Sequence, residues 1–347
     1  MKIFLSIHSL GTGGAERVIT ELANRWAQMG HDVKIITLQK HDENYALNKG
    51  ISIINLGYDS NNKKTLFKAA RLFRQIVKIE KPSFVLSFVY QQNLFTLISL
   101  LFLNTPIYIS ERCNPKSINK FFTVLRMTFY RRAKKLIVQT ERVKKITQQT
   151  LLFNRIDVIP NPVKQLKSSH TERENIILNV GRFIPSKNQL ELVEIFSKLN
   201  ENNWTLVFVG DGFTKASVLG RVKSLHLENR VKFVANTSDV DYWYSKAKIF
   251  AYTSLSEGFP NVILESLASK LAVISYNFDY GADELIKSKH NGILVQMNDK
   301  RDFIEKLNIM IENDELRNEL IKEADDIKSK YDISVIIKKW NELLNVK

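Results

Sequence analysis

Short apolar runs alternate with longer amphipathic ones along almost the whole chain, and this alternation limits the possible folds more than any other feature. In the first half the strand-like runs are Lys2–His8, Val33–Leu38, Ser52–Asn55, Phe84–Val89, Ile107–Ser110, Lys135–Gln139 and Arg155–Ile159. Helical patterns lie between them, among them Ala15–Met29, Thr65–Glu80 and Asn119–Ala133. Strands that are apolar on nearly every residue are covered on both faces, and helices supply the cover when strand and helix alternate. The expected class is α/β, a doubly wound parallel sheet. Pro160-Asn161-Pro162 then makes a rigid extended connector, which reads as a domain boundary. The alternation resumes with strands at Ile176–Gly181, Thr205–Val209, Val231–Val234, Ile249–Tyr252, Ala272–Ser275 and Ile293–Val295. Helices fit Gln189–Leu199, Thr214–Leu225, Asp239–Ala247, Pro260–Ala268 and Lys300–Asn313, and a long helical tail runs from about Glu315 to Leu344. Two such halves are expected to take a ligand in the cleft between them, at the carboxyl ends of their strands.

The chain's 347 residues are enough for two separate cores. Its single cysteine, Cys113, excludes an intramolecular disulfide and a cysteine-based zinc site, which fits a reducing compartment. The opening MKIFLSIH reads as a buried strand, too short in apolar length for a signal peptide. The longest apolar run, Leu94 to Leu103, falls well short of the ~20 residues that span a bilayer. Charge is distributed unevenly. Residues 1–165 hold 26 Lys and Arg against 10 Asp and Glu, and the remainder hold 25 against 26. The basic half suits a polyanionic partner or serves solubility. Within it, residues 116–145 carry 10 cations and one acid, Glu141, with Phe121, Phe122, Leu125, Phe129 and Tyr130 interleaved. Such a stretch suits an anionic membrane surface; the other reading is a helix whose apolar face is core. No nucleic-acid-binding motif is present, so nucleic acid is not an expected partner.

Four glycine-containing segments follow strands. Gly11-Thr12-Gly13-Gly14-Ala15-Glu16-Arg17 opens a helix, where glycine lets backbone approach a ligand and free N–H groups attract an anion. A tight turn alone would also need those glycines. Val180-Gly181-Arg182 is followed by Lys187, two cations that suit a diphosphate or are ordinary surface charges. Gly210-Asp211-Gly212 is assigned mostly to turn structure. The most informative is Ser256-Glu257-Gly258-Phe259-Pro260-Asn261-Val262-Ile263-Leu264-Glu265, two carboxylates with seven residues between them around a loop and a helix start. Carboxylates accept from vicinal sugar hydroxyls, and the helix N-terminus holds phosphate or hydroxyl groups. Asp239-Val240-Asp241 spells an Asp-x-Asp, but at a helix start it reads as capping, with Ser238 or Asp239 as the cap, and no metal is expected.

The set GGAER, VGR with its lysine, GDG and EGFPNVILE, in this order and at these strand ends, resembles the large retaining glycosyltransferase family 4, also called glycosyl transferases group 1. The resemblance covers nearly the whole chain. It implies the GT-B fold: residues 1–162 as an acceptor-side Rossmann-like domain, 163–325 as the nucleotide-sugar-binding one, and 326–347 as a C-terminal helix returning to the first domain, with Trp340 as its anchor. It also implies a nucleotide-diphosphate sugar donor, with UDP the common expectation, and neither cofactor nor metal. Carried onto this sequence, Gly13 and Gly14 would approach the donor, Arg182 and Lys187 would neutralise its diphosphate, and Glu257 would contact the transferred sugar. Gly258, Phe259, Pro260 and Asn261 would offer backbone groups, Glu265 would hold the ribose hydroxyls, and the base would lie near Val234 to Thr237.

One departure matters. Many relatives carry a histidine after the fifth strand, and none of the six histidines here is at that place, which reads Ser110-Glu111-Arg112-Cys113-Asn114-Pro115. That variant resembles a subset that builds bacterial surface polysaccharides such as O-antigen or capsule on lipid-linked acceptors. By that resemblance Glu111 would stand in for the histidine and Arg112 would meet an acceptor phosphate, with Glu16 and Arg17 as further acceptor contacts; a structural role for Glu111 and Arg112 is the alternative. The expected enzyme is a retaining hexosyl- or N-acetylhexosaminyltransferase at the inner face of the cytoplasmic membrane, acting on a polyprenyl-diphosphate-linked saccharide. Two rivals stay open: a sugar-nucleotide epimerase or hydrolase on the same fold, and a non-catalytic basic binding protein.

Overall fold

A computed structural model describes residues 1–11, 13–40, 45–164, 172–235, 240–279 and 281–346. The chain divides into two compact units, one formed by Met1–Pro162 with Ile333–Lys347, the other by Val163–Asp332. The first unit holds strands β1 (Lys2–Ile7), β2 (Asp32–Thr37), β3 (Ser52–Asn55), β4 (Phe84–Phe88), β5 (Ile107–Ser110), β6 (Lys135–Val138) and β7 (Ile156–Val158). They form one parallel sheet in the order β3-β2-β1-β4-β5-β6-β7. The second unit holds β8 (Glu174–Val180), β9 (Thr205–Val209), β10 (Val231–Val234), β11 (Ala247–Tyr252), β12 (Ala272–Asn277) and β13 (Ile293–Gln296). Their order, β10-β9-β8-β11-β12-β13, repeats the pattern of the first sheet without its last strand. Both are doubly wound sheets of the Rossmann type, in which the strand order reverses beside the first strand and ligands bind at that switch point.

Burial on both faces explains why the strands read as continuous apolar runs. Along β11, Ile249 and Ala251 enter one core cluster while Phe250 and Tyr252 enter the other. The same split places Leu206 and Phe208 of β9 on one side and Val207 and Val209 on the other. A period of two with both faces covered favours apolar residues throughout, and a polar one inside a strand needs a partner, as Lys34 of β2 has in Glu80 at 2.9 Å. Helix starts are marked by side-chain caps: Asn119 accepts from the Phe122 N–H at 3.0 Å, Thr140 from Val143 at 3.1 Å and Asp299 from Asp302 at 3.0 Å.

The C-terminal tail is three helices, Asp314–Leu320, Ala324–Lys330 and Ile333–Leu344, where the sequence pattern suggests one. No glycine or proline breaks it. Tertiary packing does. The helix Ala324–Lys330 packs on the helix Asn261–Ala268 of the second unit, and Tyr331 is buried there with its ring 6.4 Å from that of Phe259. Val163 donates its N–H to the Tyr331 carbonyl at 2.8 Å, so the outgoing and returning chain are tied side by side. The return to the first unit therefore starts at Ile333 rather than at 326. Beyond it, Ile336, Trp340 and Leu344 enter the first unit's core, Trp340 fully buried, and Trp26 Nε1 donates to Asn341 Oδ1 at 2.8 Å.

Candidate active site

In the second unit the loops after β8 and β9 are joined edge to edge. Gly181 donates its N–H to Val209 O at 3.0 Å, Phe183 to Asp211 O at 2.9 Å, and Thr214 to Phe183 O at 3.1 Å. This close approach needs the glycines of Gly210-Asp211-Gly212. Gly210 has φ +144°, and a Cβ there would lie 2.1 Å from the Gly181 carbonyl oxygen. The joined loops hold Arg182 at the carboxyl edge of the sheet. Its side chain is exposed and makes no hydrogen bond or ion pair with the described residues, while its carbonyl accepts from Gln189 Nε2 at 3.0 Å.

The next loop is stapled to the one after β11. Leu255 donates its N–H to Ser186 O at 2.8 Å, and Thr253 Oγ1 lies 3.0 Å from Asn188 O. This brings Lys187 to Glu257, which lie far apart in sequence. Lys187 Nζ donates to Glu257 Oε1 at 2.5 Å and to the Tyr252 hydroxyl at 2.6 Å. Tyr252 donates to the same Oε1 at 2.6 Å, and Ser254 Oγ lies 2.7 Å from it. Tyr252 is buried, and burial first, then the Glu257 charge, raises its pKa well above the ordinary phenol value, so it remains a neutral donor.

Past Glu257, Phe259 is buried in the core and anchors the loop. The N–H groups of Gly258 and Phe259 donate to no described residue, so the loop offers backbone donors beside the carboxylate. The following helix runs from Asn261 with Pro260 before it as its cap residue. Glu265 is nearly buried in this helix, and its Oε2 accepts from the Tyr244 hydroxyl at 3.0 Å. Each member of the carboxylate pair is thus held by a tyrosine. For Tyr244 also, burial and then the neighbouring carboxylate push the phenol pKa up.

The first unit sorts its candidates differently. Gly13 precedes the helix Gly14–Gln28, and the Glu16 side chain folds over it so closely that a Cβ at Gly13 would lie 2.2 Å from Glu16 Oε2. Thr12 lies outside the described residues. Arg17 is not an open acceptor contact: it is buried, donating to Glu21 Oε1 at 3.0 Å and to the Pro162 carbonyl at 2.9 Å. For Glu111 the surroundings fit the structural alternative. Its carboxylate is buried and gripped by Arg126 through Nε at 2.7 Å and Nη2 at 2.5 Å, with the Tyr130 hydroxyl at 2.6 Å. Three of the carboxylate's roughly four acceptor sites are thus taken within the protein. Arg112, by contrast, meets no carboxylate among the described residues. It is pinned by Ser110 Oγ at 2.8 Å and by Asn161 Oδ1, lies over the rings of Phe88 and Trp340 at 5.2 and 5.6 Å, and leaves Nη2 unpartnered. Burial pulls its pKa below the ordinary arginine value.

Comparison with known families is decisive. Residues 162–326 match the model described as Glycosyl transferases group 1, and residues 12–165 match Glycosyltransferase Family 4. The chain belongs to the family 4 glycosyltransferases. It is 29% identical, over 99% of this chain and 98% of the other, to a Campylobacter jejuni alpha-1,4-N-acetyl-D-galactosaminyltransferase whose name gives a saccharide on PP-undecaprenol as its acceptor. It is 26% identical, over 96% of each, to the amylovoran biosynthesis glycosyltransferase AmsD of Erwinia amylovora. In fold it resembles Anabaena HepE, solved with UDP and glucose, at a TM-score of 0.81 and 17% identity over 100% of both chains.

In this glycosyltransferase the sequence pattern led to Glu257, Lys187 and Glu265 but not to Tyr252, Ser254 or Tyr244. A signal was present for Tyr252: a tyrosine ending the apolar run Ile249–Tyr252 carries its hydroxyl to the sheet's carboxyl edge, where ligands bind. Asp241 pairs with Lys164 at 2.7 Å, and Ser238 and Asp239 lie outside the described residues, as do Asn236 and Thr237 of the stretch expected near the base. Among the described residues no group of three His, Cys, Asp or Glu could hold a metal ion.

Proposed function

We propose that the enzyme moves a hexose or N-acetylhexosamine from a UDP-sugar to a lipid-linked saccharide, with retention, in assembly of a bacterial surface polysaccharide. The observation that carries this reading is the grouping at one sheet edge of an unpaired guanidinium, Arg182, the Lys187–Glu257 pair and the free N–H groups of Gly258 and Phe259. Cations and N–H groups suit a diphosphate and its departing charge; the carboxylate suits a sugar hydroxyl. The Campylobacter relative's named acceptor supports a lipid diphosphate, and the UDP held by HepE supports the donor. Glu265 is engaged by Tyr244 and is not free to serve Glu257 as the second carboxylate of a double displacement of the glycosidase kind. Front-face attack fits better, with the leaving phosphate taking the acceptor proton while Arg182 and Lys187 carry the charge otherwise given to a metal.

Thermal shift against UDP-, GDP- and ADP-sugars, wild type beside Arg182→Ala, tests the donor. Selective UDP-sugar binding lost in the variant is expected. Donor turnover without acceptor would favour an epimerase or hydrolase, and no binding to any nucleotide sugar would favour a non-catalytic protein.

The enzyme is proposed to work at the inner membrane face. Among the described residues no helix is long and apolar enough to cross a membrane. Within the segment 116–145, Arg126 and Tyr130 are buried and Arg132 donates to the Leu103 and Thr105 carbonyls, while Phe121 is 67% and Val124 61% exposed. The helix Lys64–Glu80 adds a second such surface, with Phe67 68% and Ile79 71% exposed beside exposed Lys64, Lys68, Arg71 and Lys78. Next to it, Phe102 is 91% exposed on a loop whose Ser99 and Leu101 carbonyls are held by Arg74. Apolar side chains among cations fit an anionic lipid surface. Flotation with anionic vesicles, reduced in Phe67→Asp/Phe102→Asp, is the check; equal recovery with neutral vesicles would remove the membrane role.

A further inference from the structure

Glu257, read above as the carboxylate that meets the transferred sugar, has one oxygen already committed. Three donors converge on Oε1: Lys187 Nζ at 2.5 Å, the Tyr252 hydroxyl at 2.6 Å and Ser254 Oγ at 2.7 Å. Oε2 has no hydrogen-bond partner among the described residues. Tyr252 is the one donor that bonds both charged groups, accepting from Lys187 Nζ at 2.6 Å while donating to Glu257. A hydroxyl that accepts from an ammonium and donates to a carboxylate is polarised the same way by both, which strengthens the chain of bonds. Its ring is also locked in place. It is buried, 5.7 Å from the Phe250 ring and 6.2 Å from that of Phe278. Lysine and glutamate side chains are flexible, and a fixed phenol between them removes that freedom at little entropic cost.

We propose that Tyr252 is a positioning residue for the transfer step: it fixes Glu257 through Oε1 so that Oε2 accepts a hydroxyl or amide hydrogen from the transferred sugar. The same bond directs Lys187 Nζ, which has three hydrogens, so that one is left for the donor phosphate. The ligand class follows. The transferred group carries a hydrogen donor on its ring, either hydroxyl or acetamido N–H, and a donor sugar lacking it is transferred slowly.

This rests on the Glu257 assignment, and the experiment separates the two. Transfer kinetics, affinity for UDP alone and thermal melting are measured for wild type, Tyr252→Phe, Glu257→Gln and the double variant. Tyr252→Phe removes one oxygen and keeps the ring, so its melting and UDP affinity should stay near wild type. Its kcat should fall about ten- to a hundredfold, with donor KM changed less than about threefold. In the Glu257→Gln background the same substitution should add less than about threefold. Ser254→Ala should show the same pattern at smaller size and serves if Tyr252→Phe fails to fold. Wild-type turnover in Tyr252→Phe, loss of UDP affinity, or an undiminished effect in the double variant overturns the positioning role. Wild-type turnover in Glu257→Gln instead overturns the assignment beneath it.

Discussion

Glu257 and Glu111 are both glutamates in loops after strands, and their surroundings assign them opposite work. Glu257 keeps one oxygen unbonded by the described residues at a sheet edge. Glu111 gives both oxygens to Arg126 and one also to Tyr130, inside the core. Breaking such a buried pair leaves an uncompensated charge. Glu111→Gln should therefore destabilise by about 3–5 kcal/mol, seen in urea melts, while the folded fraction still binds UDP-sugar. Glu111→Leu with Arg126→Met should recover much of that stability. A variant whose folded fraction binds UDP-sugar but shows no turnover would instead assign Glu111 to catalysis. Arg112, the adjacent residue, has no carboxylate partner among the described residues, and Arg112→Lys should raise the acceptor KM about tenfold with donor KM unchanged, checked by transfer kinetics at saturating donor.

At the scale of elements, the glycine turn after β9 acts on the loop beside it. Alanine at Gly210 would put a Cβ 2.1 Å from Gly181 O at a backbone φ of +144°. Strain of about 1–3 kcal/mol should force the loop carrying Arg182 away. The expected result is a donor KM raised tenfold or more, read by initial rates, with modest loss in melting temperature. In the first unit Glu80, at the end of the helix Lys64–Glu80, receives Lys2 of β1 at 2.6 Å and Lys34 of β2 at 2.9 Å. Those hydrogen bonds, Lys2 first, lower its pKa from 4.5 to about 2. A carboxyl whose folded pKa lies below its unfolded one stabilises above the unfolded value and loses that stabilisation as pH falls through the folded one. Wild type should therefore out-melt Glu80→Gln by a constant margin above pH 4.5, and the margin should vanish towards pH 2. The small size expected for exposed pairs makes low salt the right condition.

At the scale of the whole molecule, the chain leaves one unit, builds the second and comes back. Trp340 completes the first unit's core although it follows all of the second unit in sequence. It is fully buried, with its ring 6.1 Å from that of Phe88. Trp340→Ala should cost about 3–5 kcal/mol. Because each unit has its own core, that loss should lower one calorimetric transition and leave the other in place.

What the sequence determined alone follows from local physics. Two-faced burial writes apolar strands, helices between them keep a longer period, and tight loop contacts demand glycine at Gly210; the thirteen strands among the described residues were therefore legible to within about two residues. The carboxylates Glu257 and Glu265 were legible too, because a loop and a helix start fix their spacing within one segment. Partners distant in sequence were not. Whether a glutamate is paired depends on which side chain arrives from another element, as Arg126 does at Glu111 and Lys187 and Tyr252 do at Glu257. The tail kept a helical pattern throughout, and only its packing on the helix Asn261–Ala268 decided where it breaks. Periodicity records which faces are covered; it carries no record of what covers them, and that is settled by the fold.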